Sequence, residues 1–143
     1  PNFIYWSMQK KSLPLTGTGD ETRDFTYVLD LVQGLIKAAF YEDAIGQAFN
    51  LASGKETKIK DMIAMVNQST GNSRPITQFP PRKWDTKKRL LASIELAGKL
   101  IDYKPVISFE DGLNENFKWF SNNWDNVQLS ADFPVGMSSA VRK

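Results

Sequence analysis

Gly17-Thr18-Gly19-Asp20-Glu21-Thr22-Arg23-Asp24-Phe25-Thr26-Tyr27-Val28, GTGDETRDFTYV, decides how this chain is read, because its glycines look like a phosphate cradle. A P-loop needs a lysine and a hydroxyl opening a helix, and neither follows Gly19. The dinucleotide pattern G-x-G-x-x-G needs a third glycine at position 22, which is threonine, and a strand rather than a helix is expected next. Gly17 and Gly19 therefore read as a turn between two extended segments, Leu13 to Thr16 and Arg23 to Tyr27, with Phe25 and Tyr27 on one face. From Val28 the period changes. Val28, Leu31, Val32, Leu35, Ile36 and Ala39 recur at helical spacing, with Asp30 near the helix's positive end.

Outward from this stretch the chain alternates in the same way. Residues 2 to 10 predict a short helix. Gln47 to Leu51 predict a short strand, stopped by Ser53-Gly54, and Thr57 predicts the cap of a helix carrying Ile59, Met62, Ile63 and Val66, with Gly71 just past its end. Pro75 to Phe79 is extended and leads into Pro80-Pro81. Ser93 opens a helix with Ile94, Ala97 and Ile101. Ser108 and Asp111 form a capping box for a last long helix that buries Leu113, Phe117, Phe120 and Trp124. The class is mixed α/β, helix-rich with short strands: one lobe over residues 1 to 127, then a tail over 128 to 143, docked or disordered.

A chain of 143 residues, 41% hydrophobic and 24% charged, has the size and composition of one domain with a core. With no cysteine and no histidine it lacks disulfides, thiolate nucleophiles, imidazole bases and the usual zinc ligands. Its net charge of +2 is spread along the chain, giving no electrostatic footprint for nucleic acid or membrane. No membrane span or signal peptide is evident, so a cytoplasmic protein is expected. The chain starts at Pro1 and runs at once into Phe3-Ile4-Tyr5-Trp6, which reads as a fragment whose beginning has been removed.

Two arginines stand out. Arg23 sits where a turn feeds a strand, and its planar fork can grip two phosphate oxygens; the plainer alternative is a salt bridge to Asp20, Glu21 or Asp24. Arg82 follows two prolines, with Trp84 and Asp85 close behind, an arrangement that suits a pyrophosphate and a sugar hydroxyl. A basic surface loop with Lys83, Lys87, Lys88 and Arg89 is an equally ordinary account.

The order of these pieces resembles the second half of NAD-dependent sugar-nucleotide epimerases and dehydratases of the extended short-chain dehydrogenase/reductase family. The resemblance is carried by Pro1-Asn2-Phe3-Ile4, Leu13 to Gly19, Arg23 to Asp30, Phe49-Asn50-Leu51-Ala52-Ser53-Gly54, Pro81 to Asp85, Ala92 to Ala97, Tyr103-Lys104-Pro105 and Glu110 to Leu113. It implies the carboxy-terminal substrate-binding lobe, without the Rossmann half. Arg23 and Arg82 would bind the diphosphate of a UDP- or dTDP-sugar, and Asp85 the nucleoside ribose. Pro14, Leu15 and Thr16 would line the base through backbone groups. NAD and the catalytic Tyr-x-x-x-Lys pair would belong to the part preceding Pro1, since Tyr5, Tyr27, Tyr41 and Tyr103 are followed four positions on by Gln9, Leu31, Ile45 and Ile107. The helix from Val28 and the Phe49 to Leu51 strand usually pack on the missing half, so the isolated chain is expected to form a homodimer or other self-association. Two alternatives remain open: a stand-alone nucleotide or anion binder, and a structural interaction domain with salt-bridged arginines.

Overall fold

The computed structural model describes residues 1–83 and 86–131. In chain order it runs α1 (Asn2–Met8), β1 (Pro14–Thr16), β2 (Thr22–Asp24), α2 (Val28–Phe40), β3 (Glu56–Lys58), α3 (Ile59–Thr70), β4 (Thr77–Phe79), β5 (Arg89–Leu90), α4 (Glu95–Ile101), α5 (Phe109–Asn122) and α6 (Trp124–Ser130), with a 3-10 turn at Glu42–Ala44. The class is the mixed α/β one expected. The strands form two small sheets. β1 and β4 pair in parallel, Leu15 opposite Gln78; β2 lies between antiparallel β3 and parallel β5, with Arg23 opposite Thr57 and Leu90.

Two apolar clusters hold the chain together. The larger joins Ile4, Tyr5 and Trp6 of α1 to Leu13, Leu15, Ile63, Val66, Leu113, Phe120 and Val127. The smaller centres on Ala97, Ile101 and Tyr103, with Phe49 and Leu51 packed against it. Gly71 closes α3 in the left-handed conformation that favours glycine (φ 61°), where the spacing places the helix end. Ser108 caps α5, its Oγ accepting from the Asp111 amide at 3.0 Å.

Several boundaries differ from the sequence expectation, each for a packing reason. The strand expected over Arg23 to Tyr27 ends at Asp24, because Phe25 turns inward onto Phe109 (ring centroids 4.9 Å apart). Thr57 is a strand residue and not a cap: β3 runs directly into α3, and the first amides of α3 are met by carbonyls of the glycine turn. Ile59 N donates to Glu21 O at 2.9 Å and Lys60 N to Gly19 O at 3.0 Å. Gln47 to Leu51 forms no ladder, since no strand lies beside it among the described residues and its apolar side chains go to the Tyr103 cluster instead. Trp124 does not complete α5. The chain breaks at Asn123 (φ −118°, ψ 18°), and Trp124 opens α6 against Tyr5 (5.6 Å between centroids). Gln128 to Ser130, assigned to the tail, finish α6, and Ala131 packs on the larger core; residues 132–143 lie outside the described residues.

Candidate functional site

The turn at Gly17 to Glu21 is filled by its own chain. Gly17 and Gly19 both adopt φ 79°, and the Gly19 amide donates to Glu21 Oε2 at 2.9 Å. The other Glu21 oxygen stands 2.8 Å from where a Cβ on Gly17 would be. A carboxylate thus sits where a phosphate would have to sit, while the turn's carbonyls face α3. Asp20 pairs with Lys60 at 2.7 Å across the same turn, and that ammonium holds the Asp20 carboxyl below its usual range.

What the turn delivers is Arg23. It is half-buried at the middle of β2, and its Nη1 donates to the Thr22 carbonyl at 2.8 Å. The next residue, Asp24, points to the other face of the strand, where its carboxylate accepts from Ser53 N (2.9 Å), Ser53 Oγ, Gly54 N (3.0 Å) and Ala92 N (3.4 Å).

Arg82 is half-buried on the segment from Pro80 to Lys88, which connects β4 to β5. That segment is fastened to the glycine turn at both ends. Gly17 N donates to Phe79 O at 3.0 Å, and Thr22 N to Lys88 O at 2.9 Å. The β1–β2 and β4–β5 connections therefore both run from one small sheet to the other, with a parallel ladder at each end. Asp85 lies outside the described residues. In β1, Leu15 buries its side chain in the larger core while Pro14 and Thr16 are half-buried. The register turns the backbone groups of Leu13, Leu15 and Gly17 toward β4. The Thr16 N–H and C=O and the Pro14 C=O face the opposite edge, which carries no strand among the described residues.

The basic run is not uniform. Lys83, Lys87 and Lys88 are exposed, but Arg89 grips Glu56 with two bonds, Nε to Oε1 at 2.7 Å and Nη2 to Oε2 at 2.8 Å. That guanidinium, with the Thr22 hydroxyl at 2.6 Å, pulls the Glu56 carboxyl from 4.5 down to about 2. This pair and the Asp24 cluster escaped the sequence reading, since their partners lie 29 to 68 positions apart along the chain. A separate, mostly apolar cavity of about 580 Å³ lies between α1, α5 and the segment after β2, lined among others by Phe3, Phe25, Tyr27, Phe109, Asn2 and Asn116. None of the five expected site residues among the described residues lines it.

No protein-family model matches the chain. It is 30% identical to UDP-glucuronic acid decarboxylase 1 of Danio rerio over 142 residues, 99% of this chain and 33% of that one. Among solved structures it superposes on an epimerase from Methanothermobacter thermautotrophicus with TM-score 0.91 and 45% identity, covering 93% of this chain and 40% of that one. It is also similar to the Bordetella bronchiseptica enzyme WbmF in complex with NAD+ and UDP, with TM-score 0.76 and 34% identity over 89% of this chain and 37% of that one. The fold is thus that of the carboxy-terminal portion of an extended short-chain dehydrogenase/reductase. The proteins it matches are NAD-dependent UDP-sugar epimerases and decarboxylases, and the chain spans about a third of the length of the curated relatives it matches.

Proposed function

We propose that this chain is the nucleotide-sugar binding lobe of an NAD-dependent epimerase or decarboxylase, taking a UDP- or dTDP-sugar. The observation that carries the reading is the double fastening of the Arg82 segment to the turn that delivers Arg23, by Gly17 to Phe79 and Thr22 to Lys88. Two guanidinium groups on adjoining segments suit a diphosphate, which each can grip in bidentate fashion. On the free edge of β1 the Thr16 N–H and the Pro14 C=O lie next to each other, so they can donate to one carbonyl of uracil or thymine and accept from its N3–H. Asp85 is assigned to the ribose. No helix among the described residues is long and apolar enough to cross a membrane.

The glycine turn does not fit NAD. It runs into a strand and its anion position is taken by Glu21, so no dinucleotide pyrophosphate fits there. We assign the cofactor, the proton-transferring tyrosine and the hydride step to sequence outside this chain. This lobe supplies remote binding energy, which orients the sugar and is realised at the reacting carbon.

Titration calorimetry with UDP on the complete gene product tests the assignment. Arg23→Ala and Arg82→Ala are each expected to weaken binding by about 1.5 to 3 kcal/mol, the range for hydrogen bonds to charged groups. Parent-like affinity in both variants would sink it.

A further inference from the structure

Asp24 is the most heavily bonded carboxylate described in the chain, and the diphosphate reading gives it no task. Its two oxygens collect four donors from two distant segments: Ser53 and Gly54 before β3, and Ala92 after β5. Oδ1 serves both Ser53 groups, and Oδ2 serves the Gly54 and Ala92 amides. No cation is among these partners.

These contacts sit at a mechanical junction. Asp24 is the last residue of β2, one position beyond Arg23, so its bonds set how the strand ends and which way the preceding side chain leaves the sheet. Ala92 lies two residues beyond β5, the strand to which the Arg82 segment returns. One carboxylate therefore braces the Arg23 strand and the landing point of the Arg82 segment against the same 53–54 turn. The ladders that meet here are short: β5 has two residues and β2 three.

We propose that Asp24 is a positioning residue, holding Arg23 in register with the Arg82 segment so that both guanidinium groups meet one diphosphate. The proposal rests on the nucleotide-sugar reading above and adds a residue to it. Asp24 touches no ligand; it acts through Arg23.

The test is a cycle of UDP affinities on the complete gene product, using Asp24→Asn, Arg23→Ala, the double variant and Ser53→Ala. Asparagine keeps the shape but offers one acceptor and turns an NH2 toward two of the four donors. Asp24→Asn is expected to weaken UDP binding roughly tenfold, within the coupling range of residues that act as a unit. Ser53→Ala keeps the carboxylate and removes one bond, and should weaken it about two- to threefold. The double variant should lose less affinity than the product of the two single losses, because the part of the Asp24 effect that runs through Arg23 is already gone; a purely structural role would let the two losses multiply. Losses that multiply in the double variant, or parent-like affinity in Asp24→Asn, would overturn the proposal. If Asp24→Asn fails to fold, Ser53→Ala against Ser53→Ala/Arg23→Ala closes the same cycle. If Arg23→Ala itself binds UDP as the parent does, the diphosphate reading fails and this proposal with it. If Arg23→Ala weakens binding and Asp24→Asn does not, only the positioning role fails.

Discussion

Gly34 shows what a single atom decides here. It lies inside α2, where alanine would favour the helix by about 1 kcal/mol on propensity alone. Yet a Cβ there would stand 2.7 Å from Leu51 Cδ2 and 2.8 Å from Tyr103 Cε2. Tyr103 cannot retreat easily, being buried and anchored through its hydroxyl to the Ala52 carbonyl at 3.0 Å. Overpacking wins, and Gly34→Ala is expected to destabilise the chain by about 1 to 3 kcal/mol, read from the urea midpoint. Glu56 is the corresponding electrostatic residue. Its carboxyl titrates at about 2 in the fold against 4.5 ordinarily, so its contribution is complete above 4.5 and is lost as pH falls toward 2. Acid unfolding followed by circular dichroism should show a shallower decline between those values for Glu56→Gln than for the parent. An unchanged acid limb would remove Glu56 from the account.

At the scale of the element, α2 is the case where pattern and packing part. Its apolar stripe is the strongest periodic signal in the sequence, and a stripe of that kind ordinarily faces a core. In the structure the helix turns Asp30 and Gly34 inward: the buried Asp30 carboxylate accepts from the Val106 and Ile107 amides at 3.1 and 3.0 Å. Val28, Leu29, Val32, Leu35, Ile36 and Phe40 are left 41 to 82% exposed. The helical period is legible, but which face is buried is not, because that depends on which partners are present. An exposed apolar face of this size invites a cover, and in a solution of the 143-residue chain alone a second copy is available. We expect dimers or larger species by light scattering, shifted toward monomer by Ile36→Glu. A monomer mass for the parent across a dilution series would count against this.

At the scale of the molecule, the diphosphate reading competes with a simpler basic surface. Lys83, Lys87 and Lys88 are exposed and could bind any polyanion, whereas Arg89 is already committed to Glu56. A general anion binder would show steep salt dependence and little choice among phosphates. The lobe proposed here should instead prefer UDP to inorganic pyrophosphate, because only the nucleotide reaches both the arginines and the β1 edge. Competition calorimetry at two salt concentrations separates the two, and equal affinity for UDP and pyrophosphate would favour the basic surface.

By itself the sequence determined the local conformations whose causes lie within a few residues: the Gly17/Gly19 turn, the Gly71 helix end, the Ser108 cap and the periods of α2, α3 and α5. It also carried the order of motifs shared with the sugar-nucleotide epimerases and decarboxylases that the chain resembles. Only the tertiary structure decided that β2 stops at Asp24, that Gln47 to Leu51 joins no ladder among the described residues, that α2 shows its apolar face to solvent, and that the glycine turn caps α3. Each of these depends on a partner far along the chain. A strand exists only where a neighbour accepts its hydrogen bonds, and a face is buried only where something covers it.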